Sequence, residues 1–213
     1  MSEPQREVHR ADAIEWLASN ELPPDSAIVT SLPNLDEFSH RSIERWRAWF
    51  LDASERVLRS VPSQSAAVFF QTDVLHEGSW IDKSFLVQQA AERTETPLLW
   101  HKIALRAPVG TNTNERPGYA HLLCFAPRLR HVEGNATADV LGRLGKMTWP
   151  RAIGVEVARF AVTWLREQAG ARTIVDPFCG VGTVLALANA MGLHAIGVER
   201  NPGRAERARS LSL

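Results

Sequence analysis

Thr173-Ile174-Val175-Asp176-Pro177-Phe178-Cys179-Gly180-Val181-Gly182-Thr183 is the stretch that decides the fold. A short apolar run ends in an acid, then turns through a proline and two glycines into a helix-forming segment. A second apolar run, His194 to Val198, closes on the acid Glu199. Strand, glycine loop, helix, strand and acid make the unit by which an α/β sheet holds a nucleoside-containing ligand. The glycines let backbone approach the ligand, and the acid accepts hydrogen bonds from ribose hydroxyls. No Lys-Ser or Lys-Thr pair follows the glycines, so this is not a Walker loop, and Leu185 departs from the dinucleotide Gly-x-Gly-x-x-Gly pattern. Such a unit usually opens a domain. Here it stands near the end of 213 residues, so the rest of the sheet is expected upstream, in a circularly rearranged order.

Working outward, apolar periodicity predicts alternating strands and helices, which signals a mostly parallel sheet. Strands are expected at Glu7–Arg10, Ser26–Thr30, Ala66–Gln71, Pro97–Leu105 and Tyr119–Phe125, the last two antiparallel neighbours. Helices are expected at Ala11–Ser19, about Ser39–Val61, Asp82–Arg93, Pro150–Gln168 and Pro202–Ser210. The second of these carries apolar or small residues at 43, 46, 50, 53, 57 and 61, a broad stripe at helical spacing. Residues 128–147 show no period, and a polar loop is expected after Gln71. The two ends, near Arg6 and Ser210, should lie close together.

Length and ordinary composition predict one domain over residues 1–213 with a sizeable core. Formal net charge is zero, so no global basic field marks a nucleic-acid binder, although arginines cluster in 41–59, 116–151 and 200–209. Cys124 and Cys179 have no Cys or His neighbour at metal-ligand spacing, and no metal is expected. The polar N-terminal segment and the lack of a long apolar run predict a cytoplasmic protein with no membrane partner.

Asp176-Pro177-Phe178-x-Gly180-x-Gly182-Thr183 closely resembles the cofactor motif of class I S-adenosylmethionine-dependent methyltransferases, above all those acting on amino groups of nucleic acids. The resemblance extends over nearly the whole chain. Ser31-Leu32-Pro33-Asn34 falls after the strand where that family carries its Asp/Asn/Ser-Pro-Pro-aromatic catalytic tetrad. Leu99-Trp100-His101-Lys102 through Leu122-Leu123-Cys124-Phe125 resembles its Trp-x-Lys and apolar-strand segment. It implies a Rossmann-like α/β sheet, mostly parallel with an antiparallel last strand and circularly permuted, the chain beginning at the third strand. It also implies S-adenosyl-L-methionine as cofactor. Asp176, Pro177, Phe178, Gly180, Gly182 and Thr183 would form the loop beneath it, and Glu199 would hold the ribose. Asp12 would meet the adenine, and Thr148 and Trp149 would cover the methionine end.

The tetrad implies the chemistry. An aromatic amine is barely nucleophilic, because its lone pair is delocalised into the ring. A side chain and a backbone carbonyl that accept its N–H hydrogen bonds return density to nitrogen and align it. Ser31 and Pro33 match the tetrad in type, and the Leu32 carbonyl survives any substitution. Asn34 departs, since it cannot stack on a base as the family's aromatic does. Three explanations are open: Phe38 or a tryptophan from elsewhere supplies the platform, Asn34 binds a different amine, or catalysis has been lost. Asp73, Lys83, Lys102 and Arg116 are expected on the substrate side, with Asp82 a helix N-cap, and 106–118 and 128–147 are expected as substrate-side loops. The interval 126–148 is too short for a target-recognition module. The substrate is therefore expected to be an amino nitrogen of a nucleobase, in structured RNA rather than DNA. A small-molecule or protein N-methyltransferase and an inactive cofactor-binding protein are the alternatives. The sequence also allows a homodimer.

Overall fold

The computed structural model describes residues 3–39, 42–130, 134 and 136–213. Its strands are β1 (Arg6–His9), β2 (Ser26–Thr30), β3 (Ala67–Gln71), β4 (Val74–His76), β5 (Ser79–Ile81), β6 (Leu98–Leu105), β7 (Tyr119–Phe125), β8 (Val140–Leu141), β9 (Thr173–Asp176) and β10 (His194–Val198). Its helices are α1 (Ala13–Ser19), α2 (Ile43–Arg59), α3 (Lys83–Arg93), α4 (Val155–Gln168), α5 (Thr183–Ala190) and α6 (Pro202–Ser210).

One mixed sheet of eight strands runs β1-β10-β9-β2-β3-β7-β6-β8. The first five are parallel to one another, and β7 is antiparallel to both β3 and β6. The strands alternate between two cores. Ala27, Val29, Val68, Phe70 and Ile174 face a layer with Val157, Ala161, Leu165 and Leu185. Ile28, Ala67, Phe69 and Val175 face Trp46, Phe50, Val57 and Val87 of α2 and α3. Burial on both faces is why these strands read as continuous apolar runs.

Leaving the central pair β9 and β2, the chain winds in opposite directions, through α5 to β10 on one side and toward β3 on the other. The crevice at the carboxyl ends of such a pair is where an open α/β sheet takes ligands. The first strand also meets the last helix: the Arg6 guanidinium donates to the carbonyls of Ala208 (3.0 Å) and Leu211 (2.7 Å).

Several local details differ from the expected layout. The loop after Gln71 contains the β4–β5 hairpin, turned by Glu77 and Gly78, both at positive φ. Residues 128–147 are not wholly irregular, because β8 pairs in parallel with β6. Leu144 O accepts the N–H groups of Glu156 and Val157, tying the segment to the start of α4. That tie fixes where α4 begins. Gly154 is its N-cap, beyond the proline expected to open it, and a Cβ there would come within 2.2 Å of Leu144 O. Likewise α2 begins at Ile43 because Ser42 caps it, accepting the Arg45 N–H; part of the expected start, residues 40 and 41, lies outside the described residues.

Candidate functional site

Five carboxyl-terminal loops converge on one cavity: those after β1, β2, β3, β9 and β10. Segments 147–153 and 106–116 close its sides.

On the β9–β10 side the walls are acidic. Asp176 is buried, and its Oδ1 accepts from Thr30 Oγ1 (2.9 Å) and from the Phe178 N–H (3.2 Å). Burial pushes its pKa up to about 7, the two hydrogen bonds opposing and nearby Glu199 adding to the rise. Glu199 is also raised by burial, and its Oε1 accepts the Asn201 N–H at 2.7 Å. Asp12 lines the cavity while its Oδ1 caps α1, accepting from Ile14 and Glu15.

The two loop glycines do different jobs. Gly180 (φ 55°) lines the cavity, and the nearest atoms a Cβ there would meet belong to the Trp149 ring, from 3.6 Å. Gly182 (φ 85°) does not line it; a Cβ there would lie 2.8 Å from Ala208 Cα, so this glycine lets α6 pack against the start of α5. Pro177, Phe178 and Thr183 line the cavity, as does Trp149. Thr148 stands behind that wall, hydrogen-bonded through its hydroxyl to Thr183.

The β2 loop makes the opposite wall. Ser31, Leu32, Pro33 and Asn34 all line the cavity. Among the described residues Ser31 Oγ has no hydrogen-bond partner, which leaves it free for a ligand. Asn34 is held from below. Lys83, 1% exposed, reaches up from the first turn of α3 and donates through Nζ to Leu32 O (3.0 Å) and Asn34 Oδ1 (2.7 Å). Its Nζ also sits 5.2 Å from the centre of the Phe50 ring. Burial pulls the Lys83 pKa down to about 7, against the attraction of Glu37, Asp73 and Asp36.

A stability prediction follows from Lys83. Between about pH 7 and its ordinary 10.5 the unfolded chain holds this proton more tightly than the folded one, so the group makes stability rise with pH across that window. Lys83→Met removes this slope, of up to about 1.4 kcal/mol per pH unit. Denaturant titrations of both proteins across that range should therefore diverge, and parallel stability curves would contradict the buried, hydrogen-bonded ammonium.

Beside the tetrad loop stands an aromatic group that the sequence only half disclosed. Phe38 packs edge-on against Trp49 (4.7 Å between centroids), and Trp49 against Phe178 (5.8 Å); all three line the cavity. Glu37 was not foreseen either. It accepts from the Asn34 N–H and from Arg151 (3.2 Å) and Arg204 (3.4 Å), while Arg151 also reaches Asp36 at 2.6 Å. Arg204 lies over Trp149, 4.8 Å from its centroid. These contacts fasten the β2 loop to segment 147–153 and to the start of α6. The Asn34-x-x-Glu37 spacing of a capping box was the available signal for Glu37.

Of the remaining expected residues, Asp73 and Arg116 line the cavity. Asp73 Oδ1 accepts the Lys83 N–H (3.0 Å) and Oδ2 contacts His121 Nε2 (3.1 Å), and Asp82 caps α3 as expected. Asp73, Asp82 and His121 bring ligand atoms within 4.8 Å of one another, a grouping that spacing along the chain did not reveal. Each of the three already serves as a cap or hydrogen-bond partner. Lys102 is not part of the cavity wall. It is on β6, on the face that Ala104 shares with the α4 core, and its Nζ is bound to Thr137 O (2.9 Å) and Asp139 (3.0 Å). No described helix is long and apolar enough to cross a membrane.

No family model matches the chain. One curated relative, an uncharacterized RNA methyltransferase of Parasynechococcus marenigrum (strain WH8102), is 43% identical over 49 residues, 23% of this chain and 10% of that protein. The chain thus matches about a tenth of that relative's length. Solved structures align far more widely. A putative DNA modification methylase from Thermus thermophilus matches with a TM-score of 0.73 and 20% identity, covering 95% of this chain and 92% of the other. The same methylase complexed with S-adenosyl-L-methionine matches with a TM-score of 0.72 and 19% identity, over 95% and 91% of the two chains. The cytosine-N4-specific PvuII DNA methyltransferase matches with a TM-score of 0.77 and 13% identity, over 99% and 88%. Over nearly all of its length, then, this chain has the α/β fold of solved DNA methyltransferases.

Proposed function

We propose that the protein is an S-adenosyl-L-methionine-dependent methyltransferase acting on an amino nitrogen of a nucleobase, with RNA favoured over DNA. The observation that carries this is the meeting of the glycine loop and the Ser31–Asn34 loop in one cavity, joined by the Thr30–Asp176 hydrogen bond. The strand order, with the glycine-loop strand β9 late in the chain yet central in the sheet, supports reading the fold as circularly permuted.

The cavity fits the cofactor. It carries an ammonium, a sulfonium and ribose hydroxyls, and the acids Asp176, Glu199 and Asp12 offer acceptors and negative charge to these groups. Gly180 leaves backbone open to it, and Trp149 covers that stretch. Bound there, the cofactor supplies an electrophilic methyl group.

The chain's own part is to present the amine. Ser31 Oγ accepts one N–H hydrogen bond. The Leu32 carbonyl accepts another on the lone pair that Lys83 leaves free, since a carbonyl oxygen has two. Phe38, Trp49 and Phe178 provide the stacking surface that Asn34 cannot, and Asn34 instead anchors the loop to Lys83. The short 126–148 interval supports structured RNA over a read-out duplex, as does the RNA methyltransferase among the relatives.

Transfer of labelled methyl to RNA, DNA, protein and metabolite fractions from cells lacking the gene tests this reading. Label is expected in RNA, in a nuclease-sensitive band. Label in DNA would move the substrate, label confined to protein or metabolites would overturn the nucleobase assignment, and none in any fraction would overturn the enzymatic one.

A further inference from the structure

Among the described residues five arginines line the cavity, and they divide into two sets by position. Arg151 and Arg204 are paired with Glu37, and Arg200 donates to the Glu37 carbonyl at 3.5 Å while its guanidinium lies 5.9 Å from the Phe38 ring centre. All three are on the cofactor-side walls. Arg106 and Arg116 stand on the other side, at the two ends of the β6–β7 loop, and, like Arg200, neither has a carboxylate within ion-pair distance among the described residues. Among the described residues the Arg106 guanidinium donates to a neutral partner, Thr72 Oγ1 at 3.2 Å.

The loop that carries them is closed at its base. The N–H groups of Arg106 (2.8 Å) and Ala107 (3.1 Å) both donate to Gly118 O, so the two guanidiniums are brought to one place by backbone. Burial and the neighbouring Arg116 charge both pull the Arg106 pKa down, the sign of cations crowded without a counter-ion. Arg106 is half-buried and Arg116 exposed, so an anion bound between them would relieve a cost that falls chiefly on Arg106. Asp12, Asp176 and Glu199 line one end of the cavity, and Arg106 and Arg116 line the other beside Asp73, whose oxygens are taken by the Lys83 N–H and His121. The acidic end suits a cationic cofactor. The basic end suits a substrate that carries negative charge beside its reacting group.

We propose that Arg106 and Arg116, with the Thr72 hydroxyl beside them, form a binding site for a backbone phosphodiester next to the methylated nucleotide. The inference rests on the methyltransferase reading and deepens it: the acceptor is a nucleotide within a strand, and a free nucleoside or base lacks the group these arginines hold. The planar guanidinium fork matches phosphate oxygens two at a time, which a lysine would not do. Neutral net charge does not oppose this, because a local pair of arginines needs no global basic field.

The test compares wild type with Arg106→Gln/Arg116→Gln. Fluorescence anisotropy would follow binding to a labelled random-sequence oligonucleotide of about 20 nucleotides, as RNA and as DNA, over a range of salt. Calorimetric titration with S-adenosyl-L-methionine runs alongside. The double variant is expected to bind the oligonucleotide about 10- to 100-fold more weakly, with the slope of log affinity against log salt reduced by about 0.7 for each phosphate no longer neutralised. Cofactor affinity should be unchanged, which also certifies the fold. The tighter-binding oligonucleotide identifies the source of the phosphodiester. Equal oligonucleotide affinity and slope in the two proteins would overturn the proposal, as would failure of wild type to bind either strand at low salt. A wild type that binds the strand through these arginines yet binds no cofactor would overturn the methyltransferase reading and leave the phosphodiester site standing.

Discussion

Ser31→Ala combined with Asn34→Ala should abolish methyl transfer while leaving cofactor affinity within about twofold of wild type. The reason is geometric. Both side chains belong to the β2 loop, whereas the acids that suit the cofactor come from β9, β10 and the turn after β1. Ser31 Oγ is the polar side chain of the loop with no internal partner among the described residues, so its loss removes an acceptor from the amine and disturbs nothing else. Asn34 contributes differently. Without its Oδ1, Lys83 Nζ keeps only Leu32 O, and the loop loses one of the two hydrogen bonds that Lys83 gives it. Misplacing an acceptor loop by a fraction of an ångström costs a displacement reaction heavily, because alignment supplies much of its advantage. Single-turnover transfer and calorimetry on the same preparation measure both halves of the prediction. Undiminished turnover would refute the role of this loop, and lost cofactor binding would refute the separation of the two walls.

Asp176→Asn should have the opposite pattern, with cofactor affinity falling about 10- to 150-fold, the range for a charge-assisted hydrogen bond in a dry site. The pH dependence gives a sharper test. In the free protein Asp176 titrates near 7, so wild-type affinity for a cationic ligand should rise as pH passes upward through that value. The Asn variant should lose the part of this rise that belongs to Asp176, leaving only what Glu199 contributes. Its stability should change in the other direction. The folded state holds the Asp176 proton more tightly than the unfolded chain between the ordinary 3.8 and about 7, so this acid lowers stability progressively as pH rises through that window. Removing the charge should stabilise the ligand-free protein at neutral pH by at most about 4 kcal/mol. Weaker binding together with higher stability is the signature of a carboxylate kept for a ligand. Calorimetry and denaturant titration at about pH 6 and 8 would show it, and unchanged affinity in the variant would overturn the assignment.

How much of this was legible in the sequence depended on distance along the chain. The bounds of β2, β7, β10 and α6 are those expected, because apolar runs or clear caps mark them. The β4–β5 hairpin was missed since its strands are three residues each and largely open to water, so no period develops. Its Glu77-Gly78 turn was the available clue, a positive-φ pair of the hairpin type. The glycine loop could be read because its ligand-facing residues are consecutive. Its two glycines could not be told apart, since only packing shows that Gly182 faces α6 and Gly180 the cavity. The Lys83–Asn34 bond joins residues 49 positions apart, and a lysine in the first turn of a helix ordinarily reads as solvated. Trp49 was hidden in another way. It lies between Trp46 and Phe50 of the core stripe, and periodicity does not separate a flanking position from a buried one. Lys102 misled because strand parity decides which face it takes, and that parity depends on β6 pairing with β7.

The Thr30–Asp176 hydrogen bond has a thermodynamic consequence. Thr30 is the last residue of β2 and immediately precedes Ser31, while Asp176 ends β9, so one 2.9 Å contact belongs to both halves of the cavity. Under the proposed function, a ligand that draws on the other oxygen of Asp176 would change the charge Thr30 donates to, and so the setting of Ser31, the proposed acceptor of the amine. Binding free energies are state functions, and such coupling must be reciprocal: whatever factor the first ligand applies to the affinity of the second, the second applies to the first. Each occupant of the crevice therefore reports on the other, and an empty partner site is part of what either one feels.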